Sequence, residues 1–200
     1  MVQAILYSYR RCPYAMRARM ALAYAGIQVE IREISLREKP LHMLAISPKA
    51  TVPVLCLPDN QVIDESLAIM FWALKQQDND GWLAIDLLQA KEIIEDNDGW
   101  FKQALDRYKY ADRHPEKTQT EHRKVGEVFL QSLETLLQQQ QGLLGRLPSL
   151  VDIAIFPFIR QFRGVDHDWF DAAPYPKLKQ WLTILTTADL FVEIMQKHPT

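Results

Sequence analysis

The chain lacks most features that assign a protein at a glance. It carries two cysteines, Cys12 and Cys56, in 200 residues, too few for a disulfide framework. The position where a Cys-x-x-Cys redox protein places its second thiol holds Ala15. Thiol chemistry at Cys12 is therefore monothiol, with the second thiol supplied from outside. The five histidines show no metal-ligand spacing: His114 and His122 flank a break, and there is no His-Glu-x-x-His or Cys-His cluster. No metal is expected. No apolar stretch is long enough to span a bilayer. The opening Met1-Val2-Gln3-Ala4-Ile5-Leu6-Tyr7 lacks the basic region of a signal peptide. Neither a membrane partner nor export is expected, and a cytoplasmic location is the default. A net charge of −2 gives no reason to expect a nucleic-acid partner. No internal repeat is visible. The 48% hydrophobic and 24% charged residues fit a soluble globular protein, and 200 residues suffice for one large domain or two small ones.

Against these absences Cys12 stands out. It lies in Arg10-Arg11-Cys12-Pro13-Tyr14-Ala15-Met16-Arg17, directly after the apolar run Ala4-Ile5-Leu6-Tyr7. The run reads as a strand and residues 13–25 as a helix, because proline is favoured in the first helical turn, where its missing N–H costs nothing. Cys12 then sits at a helix N-terminus, where unpaired N–H groups and the helix dipole favour an anion. Arg10, Arg11 and Arg17 add positive charge nearby. The spacing predicts a thiol that ionises readily, and the thiolate is the nucleophile. Cys56, among Val54, Leu55 and Leu57, reads as structural.

The rest of the N-terminal third alternates strand and helix. Gly26 suits a helix C-cap. Val29-Glu30-Ile31-Arg32-Glu33-Ile34 has the period of a strand. A short helix is predicted near 41–46. Thr51-Val52-Pro53-Val54-Leu55-Cys56-Leu57 and Gln61-Val62-Ile63-Asp64-Glu65 form a hairpin about the turn Pro58-Asp59-Asn60, and Ser66 opens a helix to Gln76. The expected domains are 1–76, an α/β unit whose order of elements, with Cys12-Pro13 opening its first helix, resembles the thioredoxin-like fold, a linker over 77–84, and an all-helical unit over 85–200. In the second, helices are predicted over 85–111, 118–140, 153–162, 175–187 and 189–197, and the run Gln138–Gln141 reads as a helix end. Ser149-Leu150-Val151-Asp152 matches a capping box, which makes Asp152 a folding residue. Trp100, Phe101, Tyr108, Arg160, Phe162 and Trp169 recur at helical spacing and read first as core, second as a pocket lining.

This order of elements, with Cys-Pro opening the first helix, resembles a cytosolic glutathione S-transferase over essentially the whole chain. Thr51-Val52-Pro53-Val54-Leu55 is similar to the family's Val-Pro segment, whose proline is cis. Glu65-Ser66 is similar to the pair that opens its third helix, and Ser149-x-x-Asp152 to the capping box of its buried helix. Cys12-Pro13-Tyr14-Ala15, with Lys39-Pro40 before the connector, resembles the cysteine-type, omega-like branch in a bacterial-style member.

The resemblance implies glutathione as co-substrate and partner. Val52, beside Pro53, would present its N–H and C=O to the peptide as a strand edge does. Glu65 and Ser66 would take the α-amino acid end of the γ-glutamyl group at a helix N-terminus. Lys39 would meet the glycine carboxylate, and the backbone of Tyr14 would touch the ligand. Cys12 would then be the catalytic residue of a glutathione-dependent thiol transferase. Deglutathionylation, thiol–disulfide exchange and reduction of dehydroascorbate are all within that reading, with the second substrate unidentified and a homodimer as the usual assembly. The alternatives are conventional conjugation of glutathione to electrophiles, with a Tyr7 or Ser8 hydroxyl activating the ligand thiol, and a non-catalytic interaction protein on the same fold.

Overall fold

A computed structural model describes residues 3–197. By its internal contacts the chain forms two compact units: the residues up to Gly81 together with those from Ala188 on, and Trp82–Thr187.

The first unit holds four strands, β1 (Ala4–Ser8), β2 (Val29–Glu33), β3 (Val54–Cys56) and β4 (Val62–Ile63). They form one sheet in the order β2-β1-β3-β4, with β1 parallel to β2 and the other pairs antiparallel. The parallel pair demands a crossover, supplied by α1 (Pro13–Tyr24). Pro13 starts α1, and Gly26 at φ +66° ends it, where a side chain would be strained. The register places Tyr7 opposite Arg32 and Ser8 opposite Glu33. Successive side chains of β1 alternate between faces. On one face Tyr7 packs with Ile34, Val54 and Met43 of α2 (Leu41–Ile46). Leu6 and Ser8, on the other, are fully buried. α1 packs against α3 (Ser66–Gln76) and is covered on nearly every side. Its buried residues include Arg17 and Arg19, each 2% exposed.

The second unit is helical: α4 (Leu87–Asp96), α5 (Lys102–Lys109), α6 (Gln119–Leu137), α7 (Leu150–Arg163), α8 (His167–Ala172) and α9 (Pro176–Thr187). The predicted helix over 85–111 is broken into α4, one π-turn at Asn97–Phe101, α5 and a short 3-10 turn. The break coincides with Asn97-Asp98-Gly99, residues of low helix propensity, where Asn97 is fully buried. α8 was not expected from the sequence. Phe101, Tyr108, Phe129 and Phe162 form an aromatic core, with Phe101 and Phe129 ring centres 4.5 Å apart and Tyr108 and Phe162 4.8 Å. Three of the aromatics flagged for either role, Phe101, Tyr108 and Phe162, are therefore core, whereas Trp100 is 38% exposed.

α10 (Asp189–Ile194) follows the helical region in sequence but packs on α1 in the first unit. Among the described residues no helix is long and apolar enough to cross a membrane.

Candidate active site

Cys12 is the N-cap residue of α1, with extended backbone angles (φ −76°, ψ 123°). Its N–H donates to the Tyr9 carbonyl at 2.9 Å, which closes the turn Tyr9-Arg10-Arg11-Cys12. Its thiol is half-buried and lies 3.9 Å from the Val52 carbonyl oxygen. The Val52-Pro53 bond is cis. The fold thus brings the α1 N-terminus against the segment leading into β3, two places forty residues apart in sequence.

A second set of contacts runs along α1 to the start of α3. The Arg17 guanidinium lies 5.0 Å from the Tyr14 ring centre, and its Nε donates to the Ser66 hydroxyl at 3.0 Å. Ser66 is buried at the first position of α3, so Arg17 reinforces the positive end of that helix. Arg17 stood out in sequence only as one of several arginines near Cys12. Its i+5 position gave no sign that it reaches α3. Glu65, the α3 N-cap, is exposed, and its carboxylate accepts from Lys49 Nζ at 2.5 Å, while Lys49 also pairs with Asp64 at 3.2 Å. Lys49 was not a candidate from the sequence. Lys39 lies half-buried in the connector before α2, and among the described residues its ammonium makes no hydrogen bond or ion pair.

The hydroxyls near the end of β1 are already engaged or enclosed. The Tyr7 hydroxyl is 2.7 Å from His42 Nδ1 and accepts from Arg32 Nη1 at 3.2 Å. Ser8 is fully buried. The Tyr9 hydroxyl accepts from Arg11 at 2.7 Å.

Beneath the turn sits a buried charge pair. Arg19 Nη2 donates to the Arg10 carbonyl at 2.7 Å, and the Arg10 N–H donates to Glu33 Oε1 at 2.5 Å. Arg19 Nη1 and Glu33 Oε2 are 3.9 Å apart, with side chains 1% and 10% exposed. Burial pushes the Arg19 pKa down to about 10; Glu33 and Cys12 pull it back up, and Arg10 adds to the lowering. In chemical terms the site offers a thiol at a helix N-terminus, with Arg10, Arg11, Arg17 and Arg19 on the same turn and helix, an adjacent backbone carbonyl, and a hydroxyl and N–H groups at the start of a second helix.

Known proteins resemble the chain in sequence and fold. A model of the glutathione S-transferase N-terminal domain matches residues 6–81, and one of the C-terminal domain of the same family matches residues 118–183. The chain is similar to glutathione S-transferase omega-1 of Rattus norvegicus, 40% identical over 65 residues. That match covers 32% of this chain and only 27% of the relative's length. It is also 28% identical to a probable maleylacetoacetate isomerase of Caenorhabditis elegans, over 94% of this chain and 91% of that one. In fold it resembles a glutathione transferase family member from Pseudomonas fluorescens, solved with two glutathione molecules bound, at a TM-score of 0.78 and 20% identity over 96% of this chain and 92% of that one.

Proposed function

The chain belongs to the glutathione S-transferase family of enzymes and has its fold, and from that premise we propose that it is a glutathione-dependent thiol transferase of the cysteine-type, omega-like branch, with Cys12 as nucleophile. The observation that carries the reading is the place of Cys12: a half-buried thiol capping α1, 3.9 Å from the Val52 carbonyl. Kinship alone does not choose the reaction, since the omega relative matches over a third of the chain and the isomerase over nearly all of it. The residue at the helix N-terminus favours thiol transfer, because a thiolate attacks sulfur more readily than it activates another thiol.

In this mechanism the Cys12 thiolate attacks the glutathione sulfur of a mixed disulfide. A Cys12–glutathione disulfide forms, the substrate's S–S bond breaks, and the substrate leaves as a thiolate that takes a proton from water. The thiolate of a second glutathione then attacks the Cys12 adduct. Oxidised glutathione departs and the Cys12 thiolate is regenerated, so two glutathione sulfurs replace the resolving cysteine that Ala15 cannot supply. Glutathione is held as an extended peptide on the Val52 edge, its γ-glutamyl end at Ser66 and the α3 N-terminus, and its glycine carboxylate near Lys39. Arg17 orients the Ser66 hydroxyl. Glu65 meets the ligand's ammonium by sharing or releasing Lys49. The protein works as a homodimer in the cytoplasm.

Rates of thiol transfer, dehydroascorbate reduction and conjugation, measured on one preparation, test this reading. Oxidised glutathione adds one glutathione to Cys12 in the intact mass. Cys12→Ser lowers thiol transfer by roughly a hundredfold or more. Absence of both the adduct and the activity overturns the enzyme reading in favour of an interaction protein. Conjugation that survives in Cys12→Ser moves the chemistry to a hydroxyl.

A further inference from the structure

We propose that Arg19, held beneath the Cys12 turn by Glu33 and the Arg10 carbonyl, is a positioning residue that sets how reactive the Cys12 thiol is. The inference rests on the reading of Cys12 as nucleophile and adds the group that tunes it.

Cys12 and Arg19 are seven residues apart, two helical turns, so they share one face of α1. Side chains on a helix lean toward its N-terminus, and Arg19 reaches back far enough to bond the Arg10 carbonyl. The turn that carries the thiol is thereby fixed twice: its Arg10 carbonyl by Arg19 and its Arg10 N–H by Glu33. This is one mechanical clamp made from both charges of the pair.

The electrostatic part follows from how poorly the pair is satisfied. Arg19 Nε and Nη1, Glu33 Oε2 and the neighbouring Ser8 hydroxyl are buried without a hydrogen-bond partner among the described residues. At 3.9 Å the Arg19–Glu33 contact is an ion pair but not a hydrogen bond. A buried cation with incomplete compensation is costly, and a negative charge on Cys12 reduces that cost. The lowered Arg19 value, raised again by Glu33 and by Cys12, expresses the same coupling from the other side. Because coupling is reciprocal, Arg19 favours the thiolate and Glu33 opposes it.

Other charged groups on the elements that carry or flank the thiol are Arg10 and Arg11 on the turn, Arg17 on α1, Glu33 on β2, Lys49 in the loop between α2 and β3, and Glu65 at the α3 N-cap, with the Tyr9 and Tyr14 phenols on the turn and on α1. Arg11 is exposed and bonds Tyr9, Arg17 bonds Ser66, and Lys49 and Glu65 bond each other. Arg19 differs from the other cations in having buried nitrogens without a hydrogen-bond partner among the described residues.

The test is the pH dependence of Cys12 alkylation by iodoacetamide, with Cys12→Ser as the background for Cys56. Arg19→Met is expected to raise the midpoint by about half a unit to one unit. Glu33→Gln, which keeps an acceptor for the Arg10 N–H but removes the charge, is expected to lower it by a smaller amount. Arg19→Lys stays nearer the wild type than Arg19→Met. A role confined to propping the turn moves Arg19→Met and Glu33→Gln in the same direction or moves neither, and either result overturns the proposal. Should Arg19→Met fail to fold, Glu33→Gln decides alone: a lower midpoint supports the coupling, an unchanged or higher one overturns it. Alkylation needs no glutathione. Wild-type protein that gains no glutathione adduct therefore refutes the thiol-transferase reading without touching this measurement.

Discussion

Each unit buries a charged group, and the two are treated in opposite ways. In the second unit Asp152 is fully buried and accepts four hydrogen bonds: from the N–H of Leu143 and of Ser149 at 2.9 Å, from the Ser149 hydroxyl at 2.6 Å and from Trp181 Nε1 at 2.8 Å. It ties the start of α7 to the loop before it and to α9. In the first unit Arg19 and Glu33 are buried beside the turn that carries Cys12, and three of their polar atoms have no hydrogen-bond partner among the described residues. A saturated charge has no interaction left to give, so it serves structure. An under-bonded one still responds to a new charge nearby, which is what the thiolate proposed at Cys12 needs.

The largest effect expected from this contrast is on stability. Asp152→Ala leaves several buried donors unpaired and should cost about 3 kcal/mol or more, read by urea unfolding. In the protein that remains folded the Cys12 alkylation midpoint should not move. Glu33→Gln should do the reverse, shifting the midpoint at a cost of about 1 kcal/mol or less. If Asp152→Ala shifts the midpoint while Glu33→Gln does not, the contrast is broken. The sign with pH follows as well. Burial pushes the Asp152 carboxyl up from its ordinary value, against the hydrogen bonds that pull it down. A folded value above the unfolded one means that ionisation subtracts from stability at neutral pH. That penalty fades as pH falls through the folded value toward the ordinary one, about 3.9. Relative to Asp152→Asn, the wild type should therefore gain stability as pH falls from neutral toward the ordinary carboxyl value.

How far each feature was readable depends on whether its cause is local. The β1-α1-β2 unit, the hairpin of β3 and β4 and the start of α3 were legible, because period, Pro13, Gly26 and Pro58-Asp59-Asn60 act within a few residues. The Ser149–Asp152 box was legible for the same reason. Arg19 and Glu33 were not. Glu33 reads as the polar half of an alternating strand, and only its register opposite Ser8 brings it under the turn. The helix expected over 85–111 missed the π-turn, since the burial of Asn97 is a tertiary fact. The packing of α10 on α1 was equally hidden, because an apolar stripe announces a partner without naming it. For the proposed ligand site, the pattern pointed to Cys12, Val52-Pro53 and Glu65-Ser66 but not to the bonds that Arg17 and Lys49 make to Ser66 and Glu65, whose partners lie on other elements.

A middle-sized effect separates binding from reactivity within the first unit. Ser66→Ala removes the acceptor of the Arg17 Nε–H and a hydroxyl at the α3 N-terminus. It should weaken binding of S-methylglutathione by about tenfold, equivalent to about 1.4 kcal/mol, while leaving the ligand-free alkylation midpoint in place. Glu65→Gln should weaken it less, because Glu65 is exposed and already paired with Lys49. An affinity unchanged in both variants would mean that the γ-glutamyl end lies elsewhere than at α3.

The smallest effect is expected where the family resemblance raised a rival. The Tyr7 hydroxyl is tied to His42 on α2 and Arg32 on β2, within the cluster of Ile34, Met43 and Val54. Of these contacts, the one to His42 competes with donation to a glutathione thiolate wherever the Tyr7 O–H is its donor. Tyr7→Phe removes them without emptying the core, so stability should fall by about 1 kcal/mol and thiol transfer should change by no more than about twofold. Comparing it with Cys12→Ser on the same substrates sharpens the contrast to single atoms: a hydroxyl already bonded on both sides against a thiol 3.9 Å from the Val52 carbonyl. A fall of about tenfold or more in Tyr7→Phe, with the Cys12 midpoint unchanged, would place part of the chemistry on the hydroxyl, because loss of a buried hydrogen bond of this kind accounts for stability but not for a rate change of that size.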